Sequence, residues 1–279
     1  MKVLVTGVKG QLGYDVMKVL HERHIDCMGA DIEQFDITDF QATENFIKSY
    51  GPDAVIHCSA YTAVDKAEDN YDLCYAVNAE GPKNIAKVCK ELGAKMVYIS
   101  TDYVFPGTGD SAYETDSLKD PKSVYGKTKL AGEEAVRDLL DKYFIVRISW
   151  VFGKNGNNFI KTMLRLAKDH SEINVVSDQI GSPTYTADLA PLLCDMIETE
   201  KYGTYHATNE GYCSWAEFAE TIFTAAGCRT KVNYITTDQY PSKAVRPANS
   251  RMSKKNLDEN GFKRLPSWQD ALERFLKEI

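Results

Sequence analysis

The segment at residues 3–13 reads VLVTGVKGQLG and gives the clearest indication of the fold. Val3–Thr6 is an apolar run typical of a buried strand, and a helical pattern of apolar residues follows the segment. Between the two, Gly7, Gly10 and Gly13 form a G-x-x-G-x-x-G pattern. Glycines at a strand-to-helix turn let the backbone approach a pyrophosphate, and the helix N-terminus supplies N–H donors. The segment therefore predicts a dinucleotide-binding loop; the alternative, a plain tight turn, needs one glycine rather than three.

Short apolar runs alternate with helical patterns through the first half of the chain. Strands joined by helices form right-handed βαβ units and a parallel sheet. In the second half the elements are shorter and the loops longer, which indicates a smaller α+β lobe. We expect an α/β fold: a Rossmann-like, doubly wound parallel sheet formed by residues 1–150, with 178–200 returning to it. Residues 151–177 and 201–279 then form a substrate-binding lobe.

Composition excludes several classes of protein. The 279 residues are 43% hydrophobic and 26% charged, with 33 basic and 40 acidic side chains and a net charge of −7. A basic face, which nucleic acids and anionic membranes require, is therefore not expected. The seven cysteines form no C-x-x-C and mostly lie in apolar runs, so we expect them to be reduced core residues. Without a signal peptide or a bilayer-spanning apolar run, a soluble cytoplasmic protein is expected.

An acidic residue at the end of the second strand is expected to hold the adenosine ribose of a dinucleotide. Asp31 stands 18 residues after Gly13, and its simpler interpretation is a loop residue at the strand end. A carboxylate here favours NADH over NADPH because it repels a 2′-phosphate, but Lys9 could offset this, so both cofactors remain open. Asp36 and Ile37 are a second candidate pair, for the adenine edge, with a helix N-cap as the alternative for Asp36.

Tyr125 and Lys129 form a Y-x-x-x-K pattern on the predicted helix 124–140. Residues four apart share a helix face, and a nearby cation favours the phenolate and lowers the pKa of a tyrosine. Thr101 ends the preceding strand, where open α/β sheets bind ligands, so it is placed to hydrogen-bond a substrate oxygen beside Tyr125. The alternatives are an ordinary surface pair for Tyr125 and Lys129 and a turn or cap for Thr101.

These motifs and several longer ones resemble the extended short-chain dehydrogenase/reductase family. The matching segments run in order across nearly the whole chain, at residues 5–13, 58–68, 100–105, 125–129, 147–153, 157–159, 178–184 and 246–250. The resemblance implies a Rossmann-like fold and NADPH or NADH as cofactor. It also implies reduction of the 4-keto group of a nucleotide-linked deoxysugar, and the preferred candidate substrate is dTDP-4-dehydro-L-rhamnose.

The resemblance further implies roles for single residues. The catalytic residues are Tyr125 as proton donor, Lys129 as its partner and a ligand of the ribose, and Thr101 as an orienting residue. The cofactor is contacted by Gly7, Gly10, Gln11, Leu12, Gly13, Asp31, Asp36, Ile37, Ala60, Tyr61, Thr62, Tyr125 and Lys129. The substrate is contacted by Thr101, Asp102, Trp150, Asn158 and Arg246. Arg246 suits a diphosphate, although a surface-loop arginine is the alternative.

Three other functions remain as alternatives. A sugar-nucleotide dehydratase of this family carries Asp-Glu after the catalytic threonine, whereas Asp102-Tyr103 follows Thr101 here. A reductase of another nucleotide-linked 4-keto-deoxysugar fits the same motifs. A non-catalytic regulatory subunit resembling that of methionine adenosyltransferase shares the fold, but the joint presence of Thr101, Tyr125 and Lys129 favours an enzyme.

A metal site is not favoured. Some relatives are Mg²⁺-dependent dimers bridged by glutamates, and Asp15 stands near the place of one such acid. No dense carboxylate cluster is present in the sequence, however, and hard cations need several oxygen ligands. We therefore expect no structural metal, with Mg²⁺ as the alternative, and a monomer rather than a homodimer. His57 and His206 are interpreted as core histidines, and Tyr143, Trp215 and Trp268 as packing residues.

Overall fold

The computed structural model describes all residues from 1 to 279. The strands are β1 (Lys2–Thr6), β2 (Asp26–Ala30), β3 (Ala54–His57), β4 (Lys95–Thr101), β5 (Tyr143–Ile148), β6 (Val151–Phe152), β7 (Glu172–Val176), β8 (Ile180–Gly181), β9 (Thr184–Tyr185), β10 (Gly203–His206), β11 (Cys213–Ser214) and β12 (Lys231–Ile235).

The α-helices are α1 (Gln11–Glu22), α2 (Phe40–Tyr50), α3 (Val64–Ala67), α4 (Tyr71–Tyr75), α5 (Gly81–Leu92), α6 (Val124–Leu139), α7 (Phe159–Leu166), α8 (Thr186–Ile197), α9 (Trp215–Ala225), α10 (Lys255–Glu259) and α11 (Trp268–Leu276). A π-helical turn spans Ala76–Glu80, and 3₁₀ turns span Asp102–Val104 and Thr237–Gln239.

Six parallel strands form the main sheet in the order β10-β5-β4-β3-β1-β2. Successive side chains of a strand point to opposite faces of the sheet. In β1, Val3 and Val5 pack with α1 and α8 on one face, whereas Leu4 packs with α2, α5 and α6 on the other. Both faces are therefore covered, which explains the nearly continuous apolar strands and confirms the predicted doubly wound sheet.

The last strand of this sheet comes from far along the chain. Strand β10 pairs with β5, although the sequence-based division placed residues 201–279 in the smaller lobe. Tyr205 of β10 is buried at this edge in the same core as the apolar face of α8. Burial of this side chain therefore favours pairing of β10 with the main sheet. The prediction that β10 belongs to the smaller lobe is therefore wrong. The rest of the predicted domain division stays a proposal. A second core lies around α7, α9 and α11.

Local differences from the predicted elements have simple causes. The helix predicted over 72–92 widens into the π-helical turn at Ala76–Glu80, before Gly81-Pro82 rather than at it. Proline has no N–H, so Pro82 cannot bond the carbonyl of Asn78, which accepts from the Tyr98 hydroxyl instead at 3.0 Å. The loop predicted over 178–185 contains β8 and β9. The capping box predicted at Ser214 is confirmed.

Burial agrees with several sequence-based interpretations. His57, His206 and Trp268 are buried, and Tyr143 packs at the rim of the core between α2, α5 and α6. The seven cysteines are all free; four are buried and three are half-buried. The structure contains no helix with the length and apolar character needed to cross a membrane.

Candidate active site

A cavity of about 820 Å³ opens at the C-terminal ends of the main-sheet strands. Its walls include residues that follow or end β1, β2, β3, β4 and β5. Parallel strands end at the same edge, so residues distant in sequence meet there. The cavity is therefore the place where a ligand can contact five strand ends at once.

Most of the predicted site residues line this cavity. They are Gly7, Gly10, Gln11, Leu12, Asp31, Asp36, Ile37, Ala60, Thr62, Thr101, Asp102, Tyr125, Lys129 and Trp150. Four predicted residues lie outside its lining: Gly13, Tyr61, Asn158 and Arg246. Further lining residues that received no individual role from the sequence are Gln179 and Trp215, together with Pro247 and Ser250, which belong to the same loop as the predicted Arg246.

The glycine turn leaves no room for side chains. Gly7 has φ +72°, and a Cβ there would lie 2.7 Å from the backbone nitrogen of Ser59. A Cβ on Gly13 would lie 2.3 Å from the carbonyl oxygen of Gly7, so this glycine packs α1 against the turn instead of facing the cavity. No side chain caps the N-terminus of α1 at Gly10. The turn therefore fits a pyrophosphate beside free amide donors.

Two carboxylates line the end of the cavity beside β2. Asp31 is half-buried and its Oδ2 accepts a hydrogen bond from the Lys9 backbone N–H at 3.1 Å, while the Lys9 ammonium pairs with Glu33. Asp36 accepts from the backbone and side chain of Thr38. The N-cap of α2 is Asp39, so the N-cap alternative for Asp36 is wrong. These carboxylates are suitable acceptors for ribose or adenine groups of a dinucleotide.

Helix α6 carries Tyr125 and Lys129 into the cavity wall. The Lys129 ammonium donates to the carbonyl oxygen of Ile99 at 2.7 Å and lies 4.1 Å from the centre of the Tyr98 ring. Only 2% of Lys129 is exposed, and this burial lowers its pKa to about 7. A buried ammonium has few partners, so a bound ribose hydroxyl would satisfy a remaining donor.

The expected lowering of the Tyr125 pKa is not found. Desolvation in the cavity wall raises the pKa of Tyr125, and the neighbouring Thr101 hydroxyl only partly opposes this effect. The Lys129 ammonium is directed toward Ile99 and Tyr98, so it does not offset the loss of hydration around the phenol. In this arrangement Tyr125 is a protonated phenol, which is the form required of a proton donor.

Thr101 and Asp102 are joined at the end of β4. The Thr101 hydroxyl donates to Oδ1 of Asp102 at 2.9 Å and accepts from the Tyr103 N–H at 3.3 Å, so Thr101 also caps the 3₁₀ turn. While this bond holds, the single hydroxyl proton cannot be donated to a substrate oxygen, contrary to the expected contact. Asp102 also accepts from Ser250, and burial raises the pKa of Asp102 to about 6.

Two tryptophans form the opposite end of the cavity. Trp150 has φ +50° and stacks on Trp215 with a ring separation of 3.7 Å. Gly181 permits this position, because a Cβ there would lie 2.9 Å from the Trp150 indole. A positive φ at a non-glycine residue costs of order 1–3 kcal/mol and is often retained at functional sites. Trp215, expected only to pack, therefore also shapes the cavity.

The predicted residues outside the lining have structural partners. Asn158 caps α7 through the Lys161 N–H and donates to Gln11 Oε1 at 3.0 Å. Arg246 pairs with Asp65 at 2.6 Å, while its Nε is buried without a partner. Tyr61 does not face the cavity; Asn78 holds both its N–H and its carbonyl.

No group of three or more His, Cys, Asp or Glu side chains is arranged to hold a metal ion. Asp15, the acid near the position expected from the resemblance, is buried on α1 and accepts a hydrogen bond from Thr186. Burial raises the pKa of Asp15, which favours its neutral form relative to an exposed aspartate. The Asp15 carboxylate therefore takes part in a buried hydrogen bond.

Comparisons with known proteins agree with this geometry. The RmlD substrate binding domain family matches residues 1–279. The chain is 41% identical to the spore coat polysaccharide biosynthesis protein SpsK of Bacillus subtilis, with 99% of this chain and 97% of that protein covered. It is 40% identical to a dTDP-4-dehydrorhamnose reductase of Aggregatibacter actinomycetemcomitans, with 97% of each covered.

Among solved structures, a dTDP-4-dehydrorhamnose reductase from Bacillus anthracis in complex with NADP has a TM-score of 0.97 and 45% identity; the match covers 100% of this chain and 99% of that one. The corresponding reductase from Clostridium acetobutylicum has a TM-score of 0.97 and 42% identity, with 99% of each chain covered. Sequence and structure thus agree over the full length, and the chain belongs to the RmlD substrate binding domain family.

Proposed function

We propose that this protein is an NADPH- or NADH-dependent oxidoreductase that reduces the 4-keto group of dTDP-4-dehydro-L-rhamnose to give dTDP-L-rhamnose. The observation that carries the proposal is the convergence of Tyr125, Lys129 and Thr101 on one cavity beside the glycine turn. The relatives named dTDP-4-dehydrorhamnose reductase support the substrate, and the NADP complex among them supports the cofactor.

Residues along the glycine turn would hold the cofactor. Gly7, Gly10, Gln11 and Leu12 contact its phosphates, and Gly13 keeps α1 close to them. Asp31, Asp36 and Ile37 hold the adenosine half, while Ala60 and Thr62 line the next section and Tyr61 supports that loop from behind. When bound, the nicotinamide ring supplies a hydride to carbon 4 of the sugar.

The protein supplies the proton and the orientation. Tyr125 donates its phenolic proton to the carbonyl oxygen as charge develops there, which completes the alcohol. Lys129, whose ammonium donates to the Ile99 carbonyl, holds the ribose with a further N–H donor. Thr101, whose proton is directed to Asp102, holds that carboxylate at the end of β4 beside Tyr125. Electrostatic stabilisation by groups already in place lowers the barrier without reorganisation.

The sugar nucleotide occupies the end beside the tryptophans. Asp102 accepts from sugar hydroxyls, and Trp150 flanks the ring. Arg246 has an Nε–H without a partner, which can be donated to the diphosphate. To reach it, the guanidinium releases Asp65 and binds the diphosphate in its place. Asn158 acts indirectly, since it holds Gln11 and begins α7. The cofactor is thus assigned to the large sheet, and the substrate to the boundary with the smaller lobe.

The remaining assignments concern the state of the protein in the cell. We propose a cytoplasmic monomer whose partner is the sugar nucleotide, with no nucleic acid, membrane or structural metal. The supporting observations are the seven free cysteines and the net charge of −7. Gel filtration tests the alternative of a homodimer. Activity in the presence of a chelator tests the alternative of a Mg²⁺ requirement.

The decisive experiment follows nicotinamide absorbance during reduction of dTDP-4-dehydro-L-rhamnose with NADPH and with NADH. Tyr125→Phe is expected to lower kcat by about 10²–10⁴-fold, because the general acid is lost. Tyr113→Phe is the matched control: its hydroxyl bonds Thr108 outside the cavity. Cofactor binding without turnover by the wild type contradicts this substrate and favours another 4-keto-deoxysugar or a regulatory subunit.

A further inference from the structure

Ser250 lies beside the reacting groups although it is 125 residues beyond Tyr125 in the sequence. It is 2% exposed and lines the cavity. Its hydroxyl donates to Oδ2 of Asp102 at 2.5 Å. Since Thr101 donates to the other oxygen of the same carboxylate at 2.9 Å, one hydroxyl from each half of the chain fixes Asp102.

The position of Ser250 is itself fixed by backbone hydrogen bonds. Its N–H donates to the carbonyl of Ile180 at 2.8 Å, and the neighbouring Asn249 N–H donates to Gly107 at 3.0 Å. The Ile180 N–H in turn donates to Ala248 at 2.9 Å. The backbone of Ser250 is therefore fixed, and its hydroxyl reaches Asp102 through a short side chain with a single rotatable bond.

The contact has a consequence for Thr101. A hydroxyl has a single proton, and Thr101 gives it to Asp102 while accepting from the Tyr103 N–H. If the Asp102 carboxylate rotated, the Thr101 hydroxyl would be free to turn with it, and neither group would keep its place beside Tyr125.

We propose that Ser250 is a positioning residue: through its hydrogen bond to Asp102 it fixes the direction of the Asp102 carboxylate and of the Thr101 hydroxyl bound to it, beside Tyr125. Only the kinetic test of this inference depends on the proposed function. Ser250 makes no contact with the reacting carbonyl in this scheme. It acts through Asp102, so its loss reduces the fraction of correctly oriented complexes and lowers kcat more than it raises KM.

The kinetic test compares three substitutions. Ser250→Ala removes the donor, Ser250→Cys keeps the size with a weak donor, and Ser250→Thr keeps the hydroxyl. Ala and Cys are both expected to lower kcat by about tenfold with little change in KM, and Thr to restore it. A space-filling role instead predicts that Cys restores activity, and that result overturns the proposal.

Ser182→Ala is the matched control. Ser182 is also a buried serine, and its hydroxyl donates to the Gly211 carbonyl at 2.7 Å. It lies outside the cavity lining, so its loss is expected to lower thermal stability without changing kcat. Equal kcat values for Ser182→Ala and Ser250→Ala at equal loss of Tm contradict a positioning role.

A second readout does not need the sugar. Carbon-13 NMR of the Asp102 carboxyl, assigned by Asp102→Asn, follows its titration in the NADPH-loaded protein. The titratable groups that face Asp102 are Tyr103 from its own turn and Tyr125 from α6, and Arg246 reaches Tyr103. Ser250 stabilises the ionised carboxylate, so Ser250→Ala is expected to raise the titration midpoint by about one pH unit.

The two readouts separate the possible failures. A raised midpoint without wild-type turnover means that the proposed substrate is wrong while the Ser250 contact stands. An unchanged midpoint means that Ser250 does not hold Asp102, whatever the activity, and overturns the inference.

Discussion

Glu133 and Arg147 form a two-pronged ion pair that is completely buried beside the end of β4, where Thr101 and Asp102 lie. Arg147 Nε donates to Oε1 of Glu133 at 2.8 Å, and a terminal nitrogen donates to Oε2 at 2.7 Å. Glu133 lies on α6 two helical turns beyond Tyr125, and it also accepts from Ser100, the neighbour of Thr101. The pair therefore joins α6, β4 and β5 at the level of the site.

Arg147→Met tests the energetic importance of this pair. The substitution leaves the Glu133 carboxylate buried without its main partner, which is expected to lower the free energy of unfolding by about 3–5 kcal/mol. Urea unfolding measures the effect. Arg147→Met combined with Glu133→Gln removes both charges and is expected to recover part of the loss. A loss below about 1 kcal/mol for the single variant contradicts a buried, uncompensated charge.

Lys129 predicts a dependence of stability on pH. Burial lowers its pKa to about 7 in the folded protein, whereas an unfolded lysine has a pKa of about 10.4. Between these values the unfolded chain binds more protons, so the free energy of unfolding contributed by this group rises with pH.

The measurement is the difference in unfolding free energy between wild type and Lys129→Met in the cofactor-free protein. This difference is expected to change in favour of wild type by at most about 1.4 kcal/mol per pH unit above pH 7. Lys127→Met is the control on the exposed side of the same helix. A difference that stays constant from about pH 6 to 9 argues against the lowered pKa of Lys129.

Asp31 is expected to limit the use of NADPH. Its carboxylate stands where an adenosine ribose is predicted, and the ammonium of Lys9 is paired with Glu33 instead of compensating Asp31. Asp31→Ser should raise the ratio of kcat/KM for NADPH to that for NADH by about tenfold, through loss of charge repulsion. Asp36→Ser should affect both cofactors equally. An unchanged ratio in Asp31→Ser would refute this role.

Gly13 is expected to be essential for dinucleotide binding although it does not line the cavity. A Cβ at this position would lie 2.3 Å from the Gly7 carbonyl, so Gly13→Ala must push α1 away from the turn. We expect NADPH affinity, measured by fluorescence titration, to fall by at least about tenfold. Gly109→Ala is the control: its φ of +78° makes alanine strained there too, but the position is exposed, lies outside the cavity lining, and its Cβ would meet no atom within 4 Å. Normal affinity in a folded Gly13→Ala would show that the turn tolerates the shift.

Local patterns were sufficient for the fold class and for most of the site. The glycine turn after β1 and the Tyr125–Lys129 pair on α6 could be located as candidates from the local sequence, because a turn and one helical face are properties of neighbouring residues. Trp215 and Ser250 have no such local signal. Ser250 stands in the segment 246–250 that matched the family, yet its contact with Asp102 requires knowledge of which loop crosses the cavity.

The sequence by itself determined a doubly wound parallel sheet, a dinucleotide turn at Gly7–Gly13 and a tyrosine–lysine pair on one helix. Hydrophobic period and glycine placement act over a few residues, so they can be read directly along the chain. Only the tertiary structure decided that β10 completes the main sheet and that Thr101 gives its proton to Asp102. It also decided that desolvation outweighs Lys129 at Tyr125, because burial and hydrogen-bond direction depend on residues brought together from distant parts of the chain.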